Sequence, residues 1–188
     1  IFNHTISFHK SIKRADDFKN LNNKVNSERN LFNYVNSFHV NGGQSTGIRK
    51  REIDRFLNVD YGLITNSRCL TEGVDIPKID SVIFADPKQS KIDIVQATGR
   101  ALRIHKDKSF GYVIVPVILD EQLEDSSNDV FKQVINVISA LGMSDERIIE
   151  EFREISKGNK PNDPIVIIEE EKSTNIEFKN FVSELEIQ

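Results

Sequence analysis

Residues 61–65, 81–85 and 112–118 form three short aliphatic, β-branched runs with almost no polar residue inside them. A strand with one wet face alternates polar and apolar residues. Runs without that alternation are buried on both faces, which calls for a parallel sheet covered by helices on each side. Two further short strands are expected at 4–8 and 36–40, the second ending at the Asn41-Gly42 turn signal. Between the runs lie helical patterns. One follows Ser11, with Ile12, Ala15, Phe18 and Leu21 on one face; one spans Gly47–Leu57 over Ile53, Phe56 and Leu57; one covers about Ile92–Ile104. Strands alternating with helices give an α/β fold built on a parallel sheet. Pro116 confines the far end of the last run to an edge or a bulge.

The pattern changes after Asp120. Residues 121–129 read as an acidic loop, and Val130, Phe131, Val134, Ile135, Val137, Ile138 and Leu141 space out as an amphipathic helix stopped by Gly142. Ser144 is the expected cap of a second helix that starts with Asp145 and Glu146 over Ile148, Ile149, Phe152 and Ile155. A linker at about 158–164, a strand at 165–168 and a helix at 174–187 complete an acidic, mainly helical extension over 119–188.

The formal charge of −4 hides a division between these parts. Residues 1–118 carry 18 Lys and Arg against 12 Asp and Glu, whereas 119–188 carry 7 against 17. A basic front suits phosphate partners and an acidic tail does not. No apolar run approaches the ~20 residues that span a bilayer, and no signal-peptide pattern opens the chain, so no membrane partner is expected. The chain reads as a piece of something longer. The single cysteine, Cys69, excludes an internal disulfide, fits a cytoplasmic location, and in its apolar surroundings is expected to be a small core residue. The histidines His4, His9, His39 and His105 have no spacing for a zinc site, so no metal site is expected.

The chemistry concentrates on the third helix. At 100° per residue, Gln96, Arg100 and Arg103 fall within about 60° of one another, while Ile94, Thr98, Ala101 and Leu102 occupy the opposite side. Two guanidiniums and an amide thus share one stripe, and guanidinium forks suit phosphate oxygens. Gly99 costs helix stability, about 1 kcal/mol relative to Ala, and makes sense where something approaches the backbone closely. The stripe alone is equally compatible with two solvated arginines. The loop after the 61–65 strand carries Gly73 and Asp75, at the carboxyl end of a parallel strand, where open sheets bind ligands.

The order Phe8…Ser11…Ala15-Asp16, Gly42…Arg49…Phe56, Thr65…Glu72-Gly73-Val74-Asp75-Ile76-Pro77 and Gln96-Ala97-Thr98-Gly99-Arg100-Ala101-Leu102-Arg103 resembles the second RecA-like domain of superfamily 2 helicases. The stretches look like that family's motifs IV, IVa, V and VI, and the likeness covers about residues 4–118. The wording around the last two is similar to DEAD/DEAH-type helicases with helicase-associated domains and to the translocase parts of restriction enzymes. The resemblance implies a motor lobe that works with an N-terminal RecA-like lobe of the same protein. That lobe would hold most of the ATP and Mg²⁺. Arg103 would be an arginine finger supported by Arg100 and Gln96, a device worth ~10³–10⁵ in rate. Gly73, Asp75 and Gly99 would line the nucleotide, Asp75 towards the ribose. Lys10, Ser11 and Thr65 would touch the backbone of a single strand without reading its sequence. Gln96 stands where the DEAD-box subgroup has His, which favours DNA over RNA.

Two stretches mimic phosphate and Mg²⁺ motifs without their chemistry. Gly42-Gly43-Gln44-Ser45-Thr46-Gly47 has the glycine spacing of a phosphate loop, but Ile48 and Arg49 stand where Lys and Ser/Thr are required. Asp120-Glu121 after an apolar run mimics a Mg²⁺-binding strand end, yet has no phosphate cradle to serve. This chain alone is therefore expected not to hydrolyse ATP. The alternatives are a non-catalytic nucleic-acid-binding module using the basic front, and a free-standing nucleotide-binding protein, against which the missing phosphate loop weighs.

Overall fold

The structure, a computed structural model, describes residues 2–28, 34–67, 69–70, 77–88, 90–101, 111–116 and 126–157. The elements run β1 (His4–Phe8), α1 (Ile12–Glu28), β2 (Asn36–Asn41), α2 (Thr46–Leu57), β3 (Gly62–Ser67), β4 (Ser81–Phe84), α3 (Lys91–Ala101), β5 (Tyr112–Ile114), α4 (Ser126–Ser144) and α5 (Glu146–Ser156). Five parallel strands pair in the order β2-β3-β1-β4-β5, so β1 is central and β2 and β5 are edges. β5 stops two residues before Pro116, as its missing N–H requires. The expected strand at 165–168, the linker and the last helix lie outside the described residues.

Register explains the layers. One face of the sheet carries an apolar row, Phe38, Ile64, Ile6, Val82 and Val113, each opposite the next. Phe8 and Phe84 stack two residues further on, with ring centroids 5.9 Å apart. Phe56 of α2 is fully buried and meets Phe38 and His4 edge-on. Burying each such side chain contributes roughly 1.5–3 kcal/mol. Gly62 belongs to this packing, because a Cβ there would lie 2.7 Å from the Phe56 ring.

The other face is built differently. The residues between those in the apolar row are Ser37, Leu63, Thr5 and Ser81, then His39, Thr65, Ser7 and Ile83. Thr5 and Ser81 join their hydroxyls at 2.5 Å. Connections with right-handed crossovers leave opposite faces when they run in opposite directions. The chain steps from β1 outward to β2 through α1, then back to β3 through α2, so α1 covers the face that α2 does not.

This corrects the expected apolar stripe of α1. Ala15 is buried and the half-buried Phe18 meets the His9 ring at 5.1 Å, but Ile12 and Leu21 are exposed. The helix is instead anchored by amides: Asn22 Nδ2 donates to the Val35 carbonyl at 3.0 Å and to Ser37 Oγ at 2.6 Å, and Asn26 Nδ2 donates to Val35 O at 2.7 Å. A sheet face of Ser and Thr is satisfied by hydrogen bonds, so the helix above it needs polar residues at i and i+4.

The chain divides into two compact units, Ile1–Lys88 with Gln96–Pro116, and Gln89–Val95 with Val117–Gln188. The sequence boundary at 118/119 is two residues from this division, while 89–95 groups with the second unit. In that unit α4 begins at Ser126, inside the stretch read as loop, and runs through Gly142 to Ser144. Gly142 does not stop the helix; it leaves room for Ile149 of α5, which a Cβ there would strike. The cap of α5 is Asp145 rather than Ser144: Asp145 Oδ1 accepts from Arg147 N at 3.1 Å, and its carbonyl accepts from Ile148 N at 3.1 Å. Ile135, Val137 and Ile138 are buried, matching the amphipathic spacing. No helix among the described residues is long and apolar enough to cross a membrane.

Candidate nucleotide and strand interface

All five strands end on the same edge of the sheet, which gathers the loops that follow β1, β2, β3 and β4. α3, which follows β4 in the chain, has a clear division of its surface. Ser90 starts it, its Oγ accepting from Asp93 N at 3.3 Å and its carbonyl from Ile94 N at 3.1 Å. Ile94, Ala97, Thr98 and Ala101 are buried, whereas Gln96 and Gly99 are exposed and Arg100 is half-buried. The face expected to pack away does so, and the amide and glycine of the opposite face remain accessible. A Cβ on Gly99 would meet nothing within 4 Å among the described residues. Arg103 and Leu102 lie outside the described residues, as do Gly73 and Asp75.

The β1–α1 loop is well defined. Ser11 begins α1: its Oγ accepts from Arg14 N at 3.2 Å and its carbonyl from Ala15 N at 3.1 Å. The hydroxyl hydrogen of Ser11 is left to donate elsewhere. The Lys10 side chain is exposed, while its backbone N–H donates to Asp86 Oδ2 at 3.1 Å. Asp86, two residues beyond β4 and 5% exposed, also receives a guanidinium N–H from Arg14. Neither Asp86 nor Arg14 stands out in the sequence. Their pairing spans 72 positions and becomes visible only once β1 lies beside β4.

Thr65 requires a correction. It is fully buried, and its hydroxyl is held between His39 Nδ1 at 3.0 Å and the Phe38 carbonyl at 3.3 Å. It serves the packing of β2 on β3 and offers nothing to a strand at the surface. The network around it has one consistent set of donors. Asn41 Nδ2 donates to His39 Nε2 at 3.1 Å, His39 Nδ1–H donates to Thr65, and Thr65 donates to Phe38 O. His39 is therefore neutral, and burial pushes its pKa below the ordinary value, with Asp16 opposing and Lys19 assisting. His9, in the loop after β1, is buried; it bonds Ser7 Oγ at 2.8 Å, and burial lowers its pKa despite Asp86 at 3.8 Å. Among the described residues no group of His, Cys, Asp and Glu could hold a metal ion. Cys69 is half-buried, and burial raises its thiol pKa, the opposite of an activated nucleophile.

The glycine-rich segment after β2 serves as a turn. Asn41 Oδ1 accepts from Gly43 N at 2.9 Å, Ser45 caps α2, and Arg49 holds the Gln44 carbonyl at 2.6 Å. These contacts leave the segment committed to the start of α2.

Comparison with known proteins supplies the family. The model of the helicase conserved C-terminal domain matches residues 2–105. A Saccharomyces cerevisiae protein named as an ATP-dependent helicase, IRC3, is 32% identical over 92 residues, 48% of this chain and 13% of that protein. A protein named as a helicase in African swine fever virus is 32% identical over 88 residues, 47% of this chain and 10% of that protein. The chain thus spans about a tenth of the length of the curated relatives it matches. Among solved structures, the ATP-dependent Type ISP restriction-modification enzyme LlaBIII bound to DNA superimposes with a TM-score of 0.76 at 27% identity, covering 99% of this chain and 13% of that one. Parallel strand order, motif order and family match agree: the chain belongs to the helicase conserved C-terminal domain family, as a RecA-like C-terminal lobe of the superfamily 2 type.

Proposed function

We propose that this lobe closes on an N-terminal RecA-like lobe of the same protein and completes an ATP site there, while gripping one nucleic-acid strand. The observation that carries this reading is the division of α3, with Gln96 and Gly99 accessible and Ala97, Thr98 and Ala101 packed away. A stripe built to meet a partner has that form. Arg103 is the proposed arginine finger, with Arg100 and Gln96 beside it; Gly73 and Asp75 would face the ribose side of the nucleotide. These residues fit an ATP whose phosphates and Mg²⁺ are held mainly by the other lobe, since this chain has no Lys-Ser/Thr phosphate loop. Bound ATP supplies the phosphoryl group whose hydrolysis drives the motor. The arginines of this chain would stabilise the charge that develops on its oxygens.

Lys10 and Ser11 are the proposed strand contacts, one by charge and one by a hydroxyl donor. DNA is favoured as the strand. The basic front suits phosphates, and the Type ISP neighbour, similar over nearly the whole chain, is a DNA-bound enzyme.

The test is strand-stimulated ATP hydrolysis by a protein containing both lobes, with this chain alone and Arg103→Ala alongside. Turnover is expected only in the wild-type two-lobed protein, with a loss of about 10³-fold or more in the variant. Undiminished turnover by Arg103→Ala would instead favour a binding module without a catalytic arginine, and hydrolysis by this chain alone would restore the phosphate-loop reading of Gly42–Gly47.

A further inference from the structure

We propose that Asp86 is the positioning residue for the strand-contacting loop, holding Lys10 and Ser11 where they meet phosphate; the inference rests on the strand reading given above. The last sheet pairings here are Phe8 with Asn66 and Phe8 with Phe84. Beyond them the loop is pinned from both sides. His9 N donates to Asn66 O at 3.0 Å on the β3 side, and Lys10 N donates to Asp86 Oδ2 at 3.1 Å on the β4 side. The second pin fixes the peptide that carries the Lys10 side chain without using that side chain, which stays exposed.

Asp86 is itself fixed. It is 5% exposed, and its other oxygen receives a guanidinium N–H of Arg14, a residue in the first turn of α1. Arg14 in turn gives its backbone N–H to Ser11 Oγ at 3.2 Å. One carboxylate therefore bonds the Lys10 peptide directly and, through the Arg14 side chain, ties down the first turn of the helix that Ser11 caps. A carboxylate accepting charge-assisted bonds holds geometry more tightly than an amide in its place. Arg14 is 53% exposed, so its end of the pair reaches the protein surface.

The sign of the effect separates positioning from simple charge. Asp86→Asn removes one negative charge from a face meant for phosphates, so long-range electrostatics alone predicts tighter strand binding. Positioning predicts weaker binding. The experiment is the anisotropy of fluorescent oligothymidylate titrated with the full chain over a salt series, for wild type, Asp86→Asn, Asp86→Glu, Lys10→Ala and the double variant with Asp86→Asn. Thermal melts run in parallel verify folding. Lys10→Ala is expected to lower the salt slope by about one. Asp86→Asn is expected to weaken binding about fivefold or more with a lowered slope, and to add little once Lys10 is gone. Asp86→Glu keeps the charge but moves the carboxylate by one methylene, so it should weaken binding too; it provides the test should Asp86→Asn fail to fold. Equal or tighter binding by folded Asp86 variants, with Lys10→Ala still weakened, overturns the positioning role alone. No effect of Lys10→Ala overturns the strand reading and the inference with it.

Discussion

Gly62→Ala pits two effects of comparable size against each other, and the structure decides between them. Removing a glycine from a strand reduces the freedom of the unfolded chain and stabilises by about 0.4–1 kcal/mol where the new methyl has room. At Gly62 it has none. The added carbon would lie 2.7 and 2.9 Å from two atoms of the Phe56 ring and 3.1 Å from Val59 Cγ2. Carbon contacts settle near 3.5–4.0 Å, so the ring must retreat by roughly 0.8–1 Å. Phe56 is fully buried and closed in by His4, 5.1 Å away between ring centroids, and Phe38, 6.0 Å away. Overpacking of this kind costs about 1–3 kcal/mol. The net expectation is a loss of about 1–2 kcal/mol, or a urea midpoint lower by roughly 0.5–1 M, followed by far-ultraviolet circular dichroism. Phe56→Leu on the Gly62→Ala background should cost less than the two changes separately. An unchanged or raised midpoint for Gly62→Ala would refute the packing argument.

Other expectations concern polar anchors and protons. Asp80, buried at the start of β4, accepts from Asn3 N at 2.7 Å and His4 N at 3.1 Å. Asp80→Ala leaves both amides without that acceptor and should cost about 2–4 kcal/mol, seen as a melting temperature lower by roughly 5–15 °C; a change within error would show that those amides find water. Asn26→Ala removes both bonds to Val35, at 2.7 and 3.4 Å, and should cost about 1–2 kcal/mol. Amide exchange at Val35 should rise with it, and unaltered protection there argues against the anchor. Burial lowers the pKa of His4, His9 and His39 in the folded chain, so the unfolded chain binds more protons below its ordinary histidine value of about 6.5. The stability they contribute is complete above that pH and is lost as pH falls through the lowered folded values; melting temperatures that hold steady from about pH 7 to 5 would contradict it.

The strands were legible because burial on both faces leaves an uninterrupted signature: the runs at 61–65 and 81–85 match β3 and β4 to within two residues. The exposure of α3 was legible for a related reason, since an i, i+4 stripe of Gln and Arg opposite Ala and Thr leaves a helix one way to pack. Local reading failed where the deciding partner is distant or polar. The asparagines of α1 look like surface residues until a Ser/Thr sheet face lies beneath them. Asp80 and Asp86 look like ordinary loop acids, yet each ties β4 to the strand or loop 72–77 positions earlier. Thr65 fitted a motif, but a position in mid-strand against His39 encloses its hydroxyl. At the helix pair, Ser144 and Asp145 are both acceptable caps, and the tight seat of Ile149 over Gly142 carries α4 far enough to make Asp145 the one used.

The central place of β1 also sets the timing of assembly. β1 leaves the ribosome before β4, and its pairing with β4 joins residues 76 positions apart. At roughly 5–20 residues per second of synthesis, that wait lasts about 4–15 s. During it Ile6 and Phe8 have no neighbour on the β4 side, so β1 presents an open, apolar strand edge to whatever lies near the ribosome. Pairings this distant also slow refolding relative to helical proteins of similar size. A chaperone that shields strand edges should therefore raise the yield of this lobe more than one that acts on finished domains.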